Sequence, residues 1–258
     1  GTLLDVTERK EAEAELRTAR DIAEAANAAK DQFIAKLSHE LRTPLTPVLM
    51  GIDMLLDETP ESSPRYQELA LMQHNVQLEA RIIDDLLDVT RISHGKLDLH
   101  LAEVNIHQLL ENAVEISLSK AQEKAISICF QLDAADCWTG GDAARLEQVF
   151  WNLLQNATKF TPEGGVIQVA TSNPAAEKIL IAIRDSGIGI EPEMLGELFN
   201  AFEQGGPAMT RRYGGLGLGL SICKGVIELH GGTIRAYSEG KGKGTTFFVE
   251  LNTIAPPA

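Results

Sequence analysis

The periodicity of the apolar residues changes once along the chain, close to His94 and Gly95. Before this point, apolar residues recur every three or four positions, which is the period of amphipathic helices. After it, Leu97, Leu99 and Leu101 alternate with polar residues, which is the period of a strand. Gly95 follows a helical stretch directly and is typical of a helix C-cap. The chain therefore predicts an all-α part followed by an α+β part.

The first part predicts a long helix from Glu8 to about Leu56, a polar turn at 57–64 and a second helix. The first helix carries an alanine-rich heptad seam, as in a weak coiled coil. The seam comprises Leu16, Ala19, Ala23, Ala26, Lys30, Phe33 and Leu37. Because one hairpin leaves both apolar stripes uncovered, two hairpins should pair into a four-helix bundle. We therefore expect a homodimer.

The second part predicts a single mixed sheet covered by helices, that is, an α+β sandwich. Strands are expected at 97–101, 126–132, 166–171, 179–183, 233–237 and 245–251. Helices are expected at 106–121, 142–158 and 216–229.

The chain is acidic, with 37 Asp and Glu residues against 23 Lys and Arg residues and a formal net charge of −14. This charge argues against binding to duplex nucleic acid, which requires a basic surface. No apolar run approaches the roughly 20 residues of a membrane helix. Three cysteines, at 129, 137 and 223, fit neither a zinc spacing nor a disulfide framework. We expect reduced thiols in a segment that makes no membrane contact.

A histidine motif, Ser38–Pro44 with the sequence SHELRTP, lies within the first predicted helix. A neutral imidazole such as that of His39 is a good nucleophile at neutral pH, because its ordinary pKa is about 6.5. Glu40 is placed to accept a proton or to orient the ring, and Thr43 lies one turn further along the same face. Pro44 removes a helical hydrogen bond and should bend the helix just past the motif.

Asn152 and Asn156 lie four residues apart, on one face of a predicted helix. An amide oxygen is a suitable neutral ligand for Mg²⁺, which prefers oxygen. Lys159 lies within one further turn and can reach a phosphate. Phe160 offers a flat apolar face to a base. This helix is therefore a candidate nucleotide-binding element.

A second motif, Asp185-Ser-Gly-Ile-Gly189, follows a predicted strand. A carboxylate at its start can accept a hydrogen bond from an exocyclic amine, which favours adenine over guanine. Gly187 and Gly189 allow the backbone to approach the base closely. Taken alone, this pattern is more typical of a tight turn.

Two glycine-rich stretches follow. Residues 205–213 end near Arg211 and Arg212 and are typical of a mobile lid that carries positive charge over a ligand. The next stretch precedes a helix and contains Gly215, Gly217 and Gly219. The exposed N–H groups and the dipole at a helix start favour a bound phosphate.

In this order, the motifs resemble those of the catalytic core of a sensor histidine kinase, and the resemblance covers nearly the whole chain. It implies a HisKA-type dimerisation and phosphoacceptor domain at 31–95 and a GHKL-type ATP-binding domain, with the Bergerat fold, at 96–252. In that family, ATP phosphorylates the histidine of the first motif, and the phosphoryl group passes to an aspartate on a response-regulator receiver domain. The residues matching Glu40 and Thr43 serve in dephosphorylation of the partner.

The resemblance also implies a Mg²⁺ ligand at Asn156 and a final glycine box that ends at Thr245. Related GHKL enzymes of the gyrase, chaperone and mismatch-repair types carry a glutamate base four residues before the metal asparagine. This chain has Asn152 there. Because an amide cannot accept a proton from water, hydrolysis should be slow and the phosphoryl group should be kept for His39.

Residues 1–7 resemble the closing strand and exit signature of a PAS sensor domain, with Leu3, Leu4 and Val6 in the strand. The alternative is a helix N-cap at Thr7. We expect a signalling coiled coil at 1–30, an upstream PAS domain, and a linker at 253–258. The segment itself is expected in the cytoplasm, within a protein that is either soluble or membrane-anchored.

Two alternatives remain open from the sequence. One is a pseudokinase scaffold that binds nucleotide but signals through the geometry of its dimer. The other is a core that acts mainly as a phosphatase through Glu40 and Thr43. Phosphotransfer assays on an intact regulator distinguish both from a kinase.

Overall fold

The computed structural model describes residues 2–203 and 216–256, except for the side chains of 2–8, 19, 24, 31, 33–35 and 37–39. The chain forms two compact units, which divide between Arg91 and Ile92. The first unit is helical, and the second combines helices with β-sheet. The fold class predicted from the sequence is therefore confirmed, but the described strands form two sheets and not the single sheet that was expected.

The helical unit contains α1 (Thr2–Asp57) and most of α2 (Pro64–Ser93). The strand predicted at Leu3, Leu4 and Val6 is wrong, and so is the N-cap at Thr7, because α1 runs through all of them. A helix satisfies its backbone hydrogen bonds internally, whereas a strand needs a neighbour. None of the described strands pairs with these residues.

Two polar contacts define an antiparallel register between α1 and α2. Gln73 donates from Nε2 to Oδ1 of Asp53 at 2.6 Å. Arg42 forms an ion pair with Asp84. From Arg42 to Asp53 is eleven residues along α1, and from Gln73 to Asp84 is eleven residues along α2. Both contacts therefore belong to the same register.

One copy of this hairpin covers few of its large apolar side chains. The buried ones are Ile52, Leu69, Ile83 and Leu87. Exposed ones include Leu41, Val48, Met50, Met54, Leu55, Leu71, Met72 and Leu78. Burial of apolar surface is worth about 25 cal/mol per Å², so this exposed stripe favours association with a second hairpin.

The second unit contains seven strands and four helices within its described residues. The strands are β1 (Ala102–Asn105), β2 (Ser127–Leu132), β3 (Trp138–Gly141), β4 (Val166–Ser172), β5 (Lys178–Asp185), β6 (Thr233–Tyr237) and β7 (Thr245–Asn252). The helices are α3 (Ile106–Glu123), α4 (Ala143–Phe160), α5 (Pro192–Leu195) and α6 (Gly219–Leu229). Strands β1 and β3 pair antiparallel, and the larger sheet has the order β2-β4-β5-β7-β6 with only β2 and β4 parallel.

The core of this unit lies between the helices α3, α4 and α6 and one face of the larger sheet. Alternation along β5 places Ile179, Ile181 and Ile183 on the buried face. Helix α4 buries a stripe formed by Leu146, Val149, Phe150, Leu153, Leu154 and Ala157. Packing of this stripe fixes α4 against the sheet, and the helix presents Asn152 and Asn156 from its less buried side.

The strand predicted at 97–101 is wrong, since regular structure begins only at Ala102. In the β1–β3 pair, Ala102 lies opposite Gly141. The next residue, Asp142, caps α4 and cannot extend β3. The N–H of His100 accordingly donates to Oδ2 of Asp142 at 2.9 Å. The helix predicted at 216–229 begins instead at Gly219, and β3 has no counterpart among the predicted strands.

Candidate active site

Helix α4 carries the two predicted asparagines, and Asp142 starts it by accepting the N–H of Arg145 at 3.1 Å. Asn152 is half-buried, and its Nδ2 is fully buried without a hydrogen-bond partner in the described part of the chain. The amide group of Asn152 lies 3.7–3.8 Å from the position that a Cβ on Gly219 would occupy. The first turn of α6 and Asn152 therefore face each other. A buried donor of this kind is costly unless a ligand or water accepts its hydrogen bond.

Asp185 ends β5 and is 4% exposed. Its Oδ1 accepts the N–H of Gly187 at 2.8 Å and the N–H of Thr245 at 3.3 Å. Burial raises the pKa of Asp185, and these two N–H groups act in the opposite direction. Because both bonds use Oδ1, Oδ2 remains available to accept a hydrogen bond from a ligand amine.

The loop after Asp185 is pressed against its neighbours so closely that glycine is required. A Cβ on Gly187 would lie 2.6 Å from the carbonyl oxygen of Phe160. Gly244, with φ of +72°, would place a Cβ 2.0 Å from the carbonyl oxygen of Asp185. These contacts join the loop to the end of α4 on one side and to the start of β7 on the other.

Ser238 is a further residue of this arrangement that the sequence motifs do not mark. It is 7% exposed, accepts the N–H of Ile190 at 3.0 Å and donates to the carbonyl of Gly244 at 2.7 Å. Its hydroxyl thereby connects the two glycine-containing loops. A serine in the polar stretch after β6 belongs to no recognisable pattern, so only the structure reveals its part.

Lys159 and Phe160 lie at the C-terminal end of α4. The Lys159 ammonium is 5.1 Å from the centre of the Phe160 ring, and burial lowers the pKa of this lysine. Thr245, 7% exposed, follows on β7. The structure therefore brings Phe160, Asp185, Gly187 and Thr245 together, and their binding of a base stays a prediction.

The start of α6 has the features of an anion site. No described side chain caps it, since its N-cap residue is Leu218. Gly217, with φ of +71°, precedes it, and Gly219 is its first residue. The first N–H groups of an uncapped helix are available to a phosphate. The predicted lid residues Arg211 and Arg212 and the first glycine of this stretch, Gly215, lie outside the described residues.

On α1, the backbone of His39 is helical, and its side chain lies outside the described part of the structure. Glu40 and Thr43 are exposed, three residues apart on neighbouring turns of the helix. Arg42 is held by its ion pair with Asp84. The motif therefore offers polar groups to solvent, and α1 continues past Pro44 without interruption.

Asp85, on α2, has a pKa raised from 3.8 to about 6 by burial and by repulsion from Asp88 and Asp84, against an attraction to Arg81. The raised value means that the ionised carboxylate opposes folding. The free energy of unfolding therefore falls as the pH rises from about 4 through 6, because Asp85 loses its proton over this range.

We expect Asp85→Asn to remove this pH dependence. At pH 7.5 the variant should be more stable by about 1–2 kcal/mol, which is the roughly two-unit pKa shift discounted for partial exposure. Urea unfolding between pH 4.5 and 7.5, followed by circular dichroism, measures the effect. Glu79→Gln, on an exposed position of α2, is the control. An equal pH slope in wild type and Asp85→Asn would contradict the prediction.

Two family models match the chain in succession. The His Kinase A (phospho-acceptor) domain matches residues 29–95, and the histidine kinase-, DNA gyrase B- and HSP90-like ATPase matches residues 141–254. The chain belongs to the sensor histidine kinases.

One relative of this histidine kinase core is the virulence sensor protein BvgS of Bordetella bronchiseptica, 35% identical over 257 residues. The match covers 97% of this chain but only 20% of BvgS, so the chain corresponds to a small part of that protein.

None of the helices in the described ranges has the length and hydropathy of a membrane span.

Solved structures of histidine kinases share the fold. Full-length ShkA, in complex with AMPPNP, is 29% identical with a TM-score of 0.71, over 88% of this chain and 47% of ShkA. The kinase ThkA, in complex with the response regulator protein TrrA, is 25% identical with a TM-score of 0.57, over 86% of this chain and 61% of the matched chain.

Proposed function

We propose that this histidine kinase core binds ATP and transfers its γ-phosphoryl group to His39. Transfer to an aspartate on a response-regulator receiver domain follows. The observation that carries the proposal is Asp185. Its Oδ1 is held by two backbone N–H groups, and its Oδ2 is left to accept a bond from the adenine amine. The AMPPNP complex of ShkA, a relative of similar fold, supports a nucleotide at this domain.

The base and the phosphates of the nucleotide each have matching groups. Phe160 offers its ring to the base beside Asp185. Lys159 and the uncapped start of α6 supply positive charge to the phosphates. Such charge is scarce in a chain with a net charge of −14. Arg211 and Arg212 would add charge from the lid. Because phosphoryl transfer depends mainly on positioning and charge neutralisation, these groups need only hold and neutralise the phosphates, while His39 supplies the nucleophile.

The asparagines fit a magnesium ion that enters with the nucleotide. The amide oxygen of Asn156 would bind Mg²⁺, which supplies further neutralisation of the phosphates. Within the described residues, no three or more His, Cys, Asp or Glu side chains are grouped to hold a metal. The ion would therefore take most of its ligands from phosphate and water, as is usual for Mg²⁺.

We further propose that the active protein is a homodimer built from two hairpins, because each hairpin leaves a long apolar stripe exposed. The ThkA complex with TrrA supports a response regulator as the partner. We propose that Glu40 and Thr43, which are exposed, assist dephosphorylation of that partner. We also propose a PAS domain upstream of this segment and a coiled coil at 1–30. The proposed limits of the two following domains are 31–95 and 96–252.

The test is incubation of the intact chain with ATP labelled at the γ-position, followed by addition of a receiver domain. Label held in a phosphoramidate is released by acid and survives base, and it should move to the receiver. Nucleotide binding without any labelling would favour the pseudokinase alternative. Loss of label from a phosphorylated receiver, without labelling of the chain, would favour the phosphatase.

Asp185→Asn should weaken adenine binding, because an amide N–H would meet the adenine amine or break the bonds to Oδ1. A charged hydrogen bond is worth about 1.5–3 kcal/mol, and this is the loss expected in calorimetric titration with ADP. Asp98→Asn, at an exposed position, provides the control. Equal affinity in wild type and Asp185→Asn would place the base elsewhere.

Asn156→Ala should weaken ATP binding in the presence of Mg²⁺ more than in its absence, because it removes a proposed oxygen ligand of the metal. Titration of ATP with and without Mg²⁺ measures the difference between the two affinities. If both affinities fall by the same factor, Asn156 contacts the nucleotide and not the ion.

A further inference from the structure

Lys124 lies far from the nucleotide motifs in sequence but contacts the helix that carries them. It is the C-cap residue of α3. Its Nζ donates to the carbonyl oxygens of Thr158, Lys159 and Thr161 at 2.8, 3.0 and 3.1 Å. An ammonium has three donors, so all three are used at the C-terminal end of α4. A cation here also complements the negative end of the helix dipole.

The next carbonyl of α4 belongs to the nucleotide site. The carbonyl oxygen of Phe160 accepts the N–H of Ile188, in the loop after Asp185, at 3.2 Å. The same oxygen is the atom that a Cβ on Gly187 would meet at 2.6 Å. The loop is thus seated on the last carbonyl of α4, directly beside the carbonyls that Lys124 holds.

Among the residues that the structure describes, other buried polar groups at this end of α4 already lack partners. The hydroxyls of Thr158 and Thr161 are buried and make no hydrogen bond within the described part of the chain. Without Lys124, three carbonyls would lose their donor next to these groups, and the last turn of the helix would be free to rearrange. The loop after Asp185, which is hydrogen-bonded to this turn, would then shift as well.

We propose that Lys124 is a positioning residue for the nucleotide site, which sets the base-binding loop at 185–189 by holding the C-terminal carbonyls of α4. The inference rests on the proposed nucleotide binding. It concerns the base and not the phosphates, since the ammonium is occupied by backbone oxygens. Lys124 should therefore affect the binding of every ligand that contains adenine by the same factor.

The test compares wild type, Lys124→Met and Lys120→Met in titrations with adenosine, ADP and AMPPNP, at a temperature where thermal unfolding shows each protein fully folded. Lys120, exposed in the last turn of α3, is the control for loss of charge. Lys124→Met should weaken all three ligands by a similar factor, about tenfold, as when a residue that orients a binding group is removed. Lys120→Met should bind like wild type.

Hydrogen exchange provides a local measurement on the same proteins. In Lys124→Met, the Ile188 amide should exchange faster, while the Val249 amide within the β5–β7–β6 region of the sheet should keep its protection. Wild-type affinity in folded Lys124→Met would overturn the inference, and so would a loss that grows with the number of phosphates. Failure of wild type to bind adenine ligands would instead overturn the proposed function itself.

Discussion

Incubated with γ-labelled ATP, the His39→Gln variant should incorporate no acid-labile phosphate, whereas wild type should be labelled. The nitrogen of a glutamine amide is not nucleophilic, because its lone pair is delocalised into the carbonyl, so the acceptor chemistry is lost completely. The proposed nucleotide site lies on α4, α6 and the loop after β5. Binding of ADP should therefore be unchanged by the substitution.

The matched control for this variant is His74→Gln, at an exposed position on the other helix of the hairpin. It should label like wild type. Stability of the label in base and its loss in acid identify the phosphoramidate. Labelling of His39→Gln with the same lability would show that another histidine is the acceptor.

Asn152→Glu should shift the chemistry from transfer towards hydrolysis. Asn152 faces the first turn of α6, where we place the phosphates, and its Nδ2 has no partner among described residues. A carboxylate there would accept a proton from water, as the corresponding glutamate does in the hydrolytic relatives. A placed general base contributes about 10²–10⁴-fold. We expect the low end, because the added charge also repels phosphate.

The measurement is the ratio of free phosphate released to phosphohistidine formed, in proteins that keep His39. Phosphate release in the His39→Gln background, where no phosphohistidine is expected, measures hydrolysis by itself. Asn152→Gln lengthens the side chain equally without adding a base, so it separates the effect of proton acceptance from the effect of size. A ratio that stays the same in Asn152→Glu, with ATP still bound, would show that position 152 does not select between the two reactions.

Much of the proposed nucleotide site could be predicted because its key groups lie in short motifs. The spacing of Asn152 and Asn156 follows from helical periodicity, and a carboxylate before two glycines marked Asp185. Its partner Thr245 lies 60 residues further on, and only a resemblance to a family indicated it. Ser238 and Lys124 have no motif at all, since their contacts arise from loops and helix ends that only the fold brings together.

The two wrong strands share a physical cause. The alternation of apolar residues at 97–101, and the resemblance to a PAS closing strand at Leu3, Leu4 and Val6, each describe one segment alone. Neither shows whether a neighbouring strand is present to pair with it. Asp142 starts a helix where a partner for Leu101 would be needed. A pattern within one segment carries no information about a partner strand. Helices were predicted better than edge strands because a helix makes its backbone hydrogen bonds within its own segment.

The eleven-residue spacing shared by α1 and α2 has a consequence for any rotation of α1 against α2. Eleven residues make slightly more than three whole turns and about 16 Å of helix, so Arg42 and Asp53 lie on one stripe and meet Asp84 and Gln73 together. Turning α1 by one residue, about 100°, would carry both groups away from α2 at once. Any such rotation of α1 would therefore break both contacts together and not one at a time.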